Sequence, residues 1–409
     1  MSLLRMLRAN LRHDALTAGL NMLLLVLGMA TITVLLLLGH QIEQRLHRDA
    51  QNIDLVVGAP GSPLQLILSS IFHLDIPTGN IPLEDARWVD QHPMVEASIP
   101  LALGDSYRGF RIVGTEPSYI GHYGGNLARG ALWDDAHGAV LGAEAARRTG
   151  MDLGDPFHGV HGITSAQAGA GLVHADHEYR VSGVLEPTGT VLDRLILVSV
   201  ESVWLVHDID DHWSRTGAAR EADGVDDRYL TALLVRYRTP LAAAMLPRAV
   251  DARDALQAAS PAYETARLLQ LAGIGMGTLQ LFGWLFITMA ALGFFATLYN
   301  ALRTRRHDLA IMRTLGASRR RITALLLLEG VFMSGTAAIL GLLLGHGITE
   351  LLGQFIPQAR QMHISGALLL PQEALMVAMA LLLGLLAALV PAWHAYRTDI
   401  ATVLQRRGD

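Results

Sequence analysis

The 409-residue sequence contains no cysteine, so disulfide bonds and thiolate metal sites are excluded. All 32 basic residues are arginines, because lysine is absent as well. A Walker A loop needs a lysine beside the nucleotide phosphates, and Schiff-base catalysis needs a lysine amine. The G-x-S-x-G and H-E-x-x-H patterns of hydrolases are also missing. These absences argue against an enzyme and against a nucleotide site of the ordinary P-loop type.

Apolar residues, by contrast, are abundant. They make up 51% of the chain and the mean hydropathy is +0.33, yet 17% of the residues are charged. Four apolar segments are long enough to cross a bilayer, which takes about 20 helical residues. They run from Leu16 to Gly39, Gly275 to Leu302, Ile322 to Leu352 and Glu373 to Tyr396. The sequence therefore predicts a membrane protein that also carries a large domain outside the bilayer.

Arginines are distributed unevenly around these spans. Three precede the first span, three follow the fourth, and seven lie between the second and the third. The seven are Arg303, Arg305, Arg306, Arg313, Arg319, Arg320 and Arg321. Because basic residues mark the cytoplasmic side of a membrane protein, we expect both termini and this connector to lie in the cytoplasm. The expected location is the bacterial inner membrane.

The predicted architecture is an α+β membrane protein with four transmembrane helices. Its expected segments, in order, are a cytoplasmic N-terminus with transmembrane helix 1 (1–40), an extracytoplasmic α+β domain with helical stalks (41–272), transmembrane helix 2 (273–302), a cytoplasmic coupling helix (303–321), transmembrane helix 3 (322–352), a short extracytoplasmic loop (353–371), transmembrane helix 4 (372–396) and a cytoplasmic tail (397–409).

The region 41–272 alternates strand-like and helix-like runs. The runs NIDLVV, FRIVGT, YRVSGVL, RLILVSV and YLTALLVRY are rich in β-branched and aromatic residues, which favours strands. PLEDARWVDQH and AAMLPRAVDARDALQ have helical spacing. Polar helical runs after the first span and before the second predict two stalks. From Gly154 to Asp227 the many Gly, His and Asp residues suggest a long exposed insertion or hairpin.

The connector between the second and third spans predicts a short amphipathic helix. Leu309, Met312 and Leu315 recur at helical spacing, and Gly316 supplies a helix stop. An apolar stripe offered to the cytoplasm needs a partner surface. The simpler alternative to a partner-binding role is that the arginines only set the membrane topology and contact lipid phosphates.

Two further patterns bear on packing and on metal binding. Gly341 and Gly345 form a small-xxx-small motif, suited to close helix packing within one chain or between two copies. A second pattern consists of two H-x-x-H pairs in a Gly-rich polar region, and their members are His158, His161, His174 and His177. Imidazoles with nearby carboxylates suit zinc. Solvated loop histidines are the simpler interpretation, and both stay open.

The chain resembles the FtsX-like permeases, the membrane subunits of ABC transporters of the MacB and LolC/LolE type. The resemblance rests on the domain start NIDLVVGAPG, the connector RRHDLAIMRTLGASRRRI, the third span LLLLEGVFMSGTAAILGLLLG and the ending PAWHAYRTDIATVL. The family usually has glutamate where this chain has Asp308. The extracytoplasmic domain resembles the family in layout, so no substrate is implied.

The resemblance implies a permease without its own nucleotide site, driven by a separate cytoplasmic ABC ATPase that uses ATP. The connector would be the coupling helix, and the residues that would contact the ATPase are Arg305, Arg306, Asp308, Leu309, Met312, Arg313, Leu315 and Gly316. It further implies a second permease copy, for which we expect a homodimer. A periplasmic partner is left open, and no nucleic-acid partner is expected.

Three functions remain open at this stage. The first is mechanical export or extraction of a lipoprotein, peptide or amphiphile. The second is regulation of an extracytoplasmic partner without transport. The third is a zinc-linked transporter, for which the histidine pairs are the only support. The chain itself is expected to hold no cofactor unless zinc binds.

Overall fold

The computed structural model describes residues 15–162, 177–206, 228–304, 318–356, 359 and 364–397. The chain divides into two compact units. We call Met1–Glu43 with Leu271–Asp409 the membrane unit, and Gln44–Gln270 the sheet domain.

Ten helices are described in chain order. They are α1 (Ala15–Asp49), α2 (Pro63–Ser70), α3 (Leu83–Asp90), α4 (Pro117–His122), α5 (Ala143–Thr149), α6 (200–206), α7 (Ala242–Asp251), α8 (Pro261–Thr304), α9 (Arg319–Phe355) and α10 (Pro371–Arg397), with a 3₁₀ turn at Val191–Arg194.

Thirteen strands are described as well. They are β1 (Leu55–Gly58), β2 (Ile81–Pro82), β3 (Val95–Tyr107), β4 (Phe110–Thr115), β5 (Leu127–Gly130), β6 (Gly138–Leu141), β7 (Pro156–Phe157), β8 (Val160–His161), β9 (Tyr179–Leu185), β10 (Leu195–Ser199), β11 (Tyr229–Leu230), β12 (Ala232–Tyr237) and β13 (Gln257–Ala259).

Four of the helices are long and apolar enough to cross a membrane. The qualifying stretches are Leu16–Asp49, Pro261–Asn300, Arg319–Phe355 and Pro371–His394. Helices suit these runs because every backbone N–H and C=O must be satisfied without water inside a bilayer. The polar residues 41–49 continue α1, and residues 261–270 open α8, as their helical patterns predicted.

Eleven of the described strands form one mixed sheet in the sheet domain. Nine follow the order β13-β1-β12-β3-β4-β10-β6-β9-β5, while β7 pairs with β9 and β8 pairs with β3. The pairs β4–β10 and β6–β9 are parallel, and the others are antiparallel. Strands β2 and β11 form a separate two-stranded sheet. The domain is therefore α+β, with a single large sheet at its centre.

The sheet is stabilised by apolar side chains that its strands bury. All residues of β1, β4, β6 and β10 are buried, which accounts for their high content of valine, leucine and isoleucine. Tyr119 and Tyr179 are among the largest fully buried side chains. The helices α3 and α7 add Val89, Leu246 and Val250 to the same core.

Two expectations about this domain were wrong. The stretch from Gly154 to Asp227 is not wholly an exposed insertion, since its residues 177–206 include the buried strands β9 and β10. The helical pattern of residues 243–257 also ends early, at Asp251, and Gln257 opens strand β13. Pairing with β1 overrides helix propensity there, because residues 257–259 complete the sheet edge.

Candidate coupling site and its surroundings

The connector is bracketed by two described helix ends. Helix α8 is described as far as Thr304, and α9 begins at Arg319. Ser318 caps α9, because its hydroxyl accepts a hydrogen bond from the Arg321 backbone N–H at 3.3 Å. The third span is therefore started by a side-chain cap directly after the connector.

All eight predicted ATPase-contact residues lie outside the described residues. They are Arg305, Arg306, Asp308, Leu309, Met312, Arg313, Leu315 and Gly316. Their amphipathic pattern stays a prediction from the sequence. The structure does describe the helix ends that hold this segment.

These helix ends contact the last turns of α10. The ring of Tyr299 in α8 lies edge-on to His394, with 6.1 Å between centroids. On the α9 side, the Arg319 guanidinium lies 5.9 Å from the ring centroid of Tyr396. Ala392 also packs in a small buried cluster with Ile322 and Leu326. Both ends of the connector are thus attached to the same end of α10.

The small-xxx-small motif of α9 packs against α1 within the chain. A Cβ on Gly341 would lie 2.5 Å from the Met29 Cβ and 2.9 Å from the Val26 carbonyl oxygen. A Cβ on Gly345 would lie 2.7 Å from the Thr33 Cβ. These glycines let the two helix backbones approach more closely than any larger residue would allow.

A second close helix contact was not anticipated from the sequence. A Cβ on Gly330 in α9 would lie 2.6 Å from the carbonyl oxygen of Gly384 in α10, and a Cβ on Gly384 would overlap the Ser334 hydroxyl. Gly330 and Ser334 form a small-xxx-small motif in α9, as Gly384 and Ala388 do in α10, so this spacing could have marked the contact. The two helices pack backbone to backbone at this point.

Polar groups join the helices at two further places. Asn21 of α1 is 7% exposed and donates a hydrogen bond to the Thr297 hydroxyl of α8 at 2.9 Å. A Cβ on Gly293 would overlap the Asn21 amide, so glycine makes room for that side chain. Interhelical hydrogen bonds of this kind contribute about 0.6–2 kcal/mol in membranes.

The loop between α9 and α10 is held by polar side chains at the other end of these helices. Glu350 accepts hydrogen bonds from the Gly366 N–H at 2.8 Å and the Ser365 hydroxyl at 3.0 Å. His346 places Nδ1 2.6 Å from the Gly366 carbonyl oxygen and Nε2 3.1 Å from Glu373. This end of the membrane unit therefore has a fixed polar network.

The histidine pairs of the zinc hypothesis are described in part. His158 Nδ1 lies 3.1 Å from the carbonyl oxygen of His177, and His161 Nδ1 lies 2.9 Å from Asp105. His174 lies outside the described residues. Among the residues that are described, no three His, Asp or Glu side chains are arranged to hold a metal ion. Two ring nitrogens that could bind zinc are already engaged by oxygen atoms.

Four helices of membrane-spanning length, with a mixed α+β domain inserted after the first, define a membrane protein with one large extramembranous domain. Residues 18–253 match the family model of the MacB-like periplasmic core domain, and residues 281–400 match that of the FtsX-like permease C-terminal region. The chain belongs to this family, the ABC transporter permeases of the MacB and FtsX type.

A curated relative is an uncharacterized ABC transporter permease protein of Mycobacterium tuberculosis (strain ATCC 25618 / H37Rv). It is 25% identical over 329 residues, which cover 77% of this chain and 35% of that protein. This chain thus spans about a third of the relative's length. No activity follows from this likeness, because the relative is itself uncharacterized.

Two solved structures are similar to part of the chain. The periplasmic region of MacB from Actinobacillus actinomycetemcomitans is 13% identical, with a TM-score of 0.34, and covers 54% of this chain and 95% of that one. The extracellular domain of the noncanonic ABC-type transporter YknZ from Gram-positive bacteria is 12% identical, with a TM-score of 0.29. The match covers 51% of this chain and 99% of that domain. Similarity at this level relates no individual residues.

Proposed function

We propose that this permease couples ATP hydrolysis by a separate cytoplasmic ATPase to movement of its extracytoplasmic domain. The movement would export or extract a lipoprotein, a peptide or an amphiphile. The observation that carries this proposal is the connector 303–321, an Arg-rich amphipathic segment between two membrane helices of an ABC permease. In this proposal both termini and the connector face the cytoplasm.

The apolar face of the connector would bind a groove on the ATPase. Leu309, Met312 and Leu315 supply that face, and the surrounding charges fix its orientation more than its affinity. Contacts of α8 and α9 with the end of α10 support this role. A force on the connector would reach three helices through Tyr299, His394 and the other residues at that end.

Two copies of the chain would complete the transporter. ATP-driven closure of two ATPase subunits would move the two connectors together, and α1 and α8 would carry the motion to the sheet domain. Regulation of an extracytoplasmic partner would use the same machinery without cargo. The zinc-linked alternative stays a prediction, since no described group of side chains favours it.

The test is purification of the tagged chain from its native membrane in mild detergent, followed by mass spectrometry of the proteins that remain bound. The variant Met312→Asp with Leu315→Asp places two charges on the apolar face. The control Thr314→Asp adds a charge to the same segment outside that face. We expect a Walker-motif ATPase to accompany the native chain and the control, and to be lost from the double variant.

Two outcomes would contradict the proposal. One is that no ATPase accompanies the native chain under conditions that preserve its dimer. The other is that the double variant retains the ATPase as well as the control does. In either case the arginines would mark topology alone.

A further inference from the structure

The sheet domain contains a groove of about 330 Å³ that none of the contacts above uses. It is bounded by α3, α6, β3 and the β11–β12 region. Its volume lies within the range of about 300–1,000 Å³ that is usual for ligand clefts. The groove is therefore large enough to hold roughly two amino-acid side chains.

The floor of the groove is apolar. Leu83 and Ala86 of α3, Val200 of α6, and Leu230 and Leu233 of the strands line it. These side chains also belong to, or adjoin, the buried core, so the floor is a fixed part of the fold. An apolar group of a ligand would be removed from water there, at a gain of about 25 cal/mol per Å².

Three carboxylates stand around this floor on three different elements. Asp90 ends α3, Glu116 precedes α4, and Glu201 lies in α6. Partial burial raises the pKa of Glu116, and repulsion from Asp90 and Glu201 raises it further. Asp90 and Glu201 are thus each close enough to Glu116 to affect its carboxylate.

Some carboxylates elsewhere in the sheet domain are paired with arginines. Asp85 lies 2.5 Å from Arg253, Asp152 lies 2.9 Å from Arg129, and Glu96 pairs with Arg236. Within the described part of the chain, the three groove carboxylates form no such ion pair.

Their described hydrogen-bond partners are hydroxyls. Ser98 donates to Asp90 at 2.6 Å and Ser118 donates to Glu116 at 3.5 Å. Of the lining residues that the structure describes, Arg87 is the one basic residue. This described lining therefore has an excess of negative charge above an apolar floor.

We propose that this groove binds a basic amphiphilic peptide segment. An apolar side chain of the peptide would rest on the floor, and its arginine or lysine groups would meet the carboxylates. Several carboxylates beside an apolar floor complement a ligand that carries more than one positive charge next to an apolar group, which favours a peptide with more than one basic residue over a singly charged amphiphile. The inference deepens the proposed function and rests on it for the idea that such a peptide is cargo.

The test uses the full chain in nanodiscs of zwitterionic lipid, without any ATPase. The probe is Arg-Leu-Leu-Arg-amide with a neutral fluorophore on its N-terminal amine, and its binding is followed by fluorescence anisotropy. Two matched peptides carry glutamates in place of the arginines or serines in place of the leucines, and empty nanodiscs measure lipid binding. We expect the basic amphiphilic probe to bind at least ten-fold more tightly than either matched peptide.

Variants then locate the site. Glu116→Gln and Glu201→Gln should each weaken binding by about ten-fold, since each removes one charge-assisted contact. Glu96→Gln is the control, because this exposed carboxylate pairs with Arg236 away from the groove. Unchanged melting temperatures would show that the glutamine variants are folded.

Equal affinity for the arginine and glutamate peptides would overturn the proposal, as would wild-type affinity in the Glu116→Gln variant. Binding is measured without the ATPase, so this result is independent of the co-purification test. A chain that binds the probe but captures no ATPase would retain the groove and lose the coupling proposal. The opposite result would leave a coupled permease whose cargo is not a basic peptide.

Discussion

Replacing Gly341 by alanine tests how closely α1 packs on α9. The new Cβ would lie 2.5 Å from the Met29 Cβ and 2.9 Å from the Val26 carbonyl oxygen. Carbon atoms in contact prefer separations of about 3.5–4.0 Å. The helices must therefore separate by about 1 Å, because a backbone carbonyl cannot rotate out of the way.

The expected cost is about 1–3 kcal/mol, which is the usual range for an added methyl group in a packed core. Alanine also stabilises a helix relative to glycine by up to about 1 kcal/mol, so the measured stability loss of Gly341→Ala would understate the cost of the clash. Gly347→Ala is the control for this gain, because Gly347 lies in the same helix and a Cβ there would have no neighbouring atom within 4 Å. Gly341→Ala should be less stable than Gly347→Ala by about 1–3 kcal/mol.

A second substitution sharpens the prediction. Gly345 faces α1 one turn along, where its Cβ would meet Thr33 at 2.7 Å. One outward movement of α1 relieves both clashes. The double variant Gly341→Ala with Gly345→Ala should therefore lose less stability than the two single variants lose together.

The assay is reversible unfolding in mixed micelles, followed by circular dichroism and by size-exclusion chromatography of the native state. Equal stability of Gly341→Ala and Gly347→Ala would refute the close packing of α1 on α9. Loss of the proposed dimer without loss of chain stability would assign the motif to an interface between copies.

Three further predictions concern polar groups. Glu350→Gln should speed hydrogen exchange at the Gly366 amide about ten-fold, because it weakens the bond that this amide donates. Asn21→Ala should lower the unfolding free energy by about 1 kcal/mol in the same micelle assay, through loss of the bond to Thr297. Burial lowers the pKa of His73 well below its ordinary value of 6.5, so the unfolded chain takes up the proton first as pH falls. Thermal stability should therefore decrease below pH 6.5, and His73→Gln should reduce that slope; an unchanged slope would contradict the assignment.

Local patterns predicted those parts of the fold whose own residues decide them. The runs FRIVGT and YRVSGVL coincide with β4 and β9, because each is β-rich along its whole length. Strand β3 was not anticipated, since Pro100 and Gly104 interrupt its pattern and long-range pairing with β4 and β12 holds it in place.

The candidate sites show the same limit. The spacing of Gly341 and Gly345 indicated a packing motif, while its partner helix required the three-dimensional structure. The groove carboxylates are assembled from distant parts of the chain, so no local spacing could reveal them. The Gly330–Gly384 contact does carry small-xxx-small spacing, with Ser334 and Ala388, but the pairing of α9 with α10 there required the structure.

The pairing of β1 with β13 sets how the sheet domain responds to load. Val56 lies opposite Ala259 and Gly58 opposite Gln257, so the chain enters β1 from α1 and leaves β13 towards α8 at the same end of this antiparallel pair. Pulling the two helices apart would break the hydrogen bonds between β1 and β13 one after another, beginning at that end. Displacing both helices in the same direction puts no such load on the ladder. In the proposed coupling, an equal displacement of the two helices would leave the sheet intact, whereas unequal displacements would detach the three-residue edge strand β13 first.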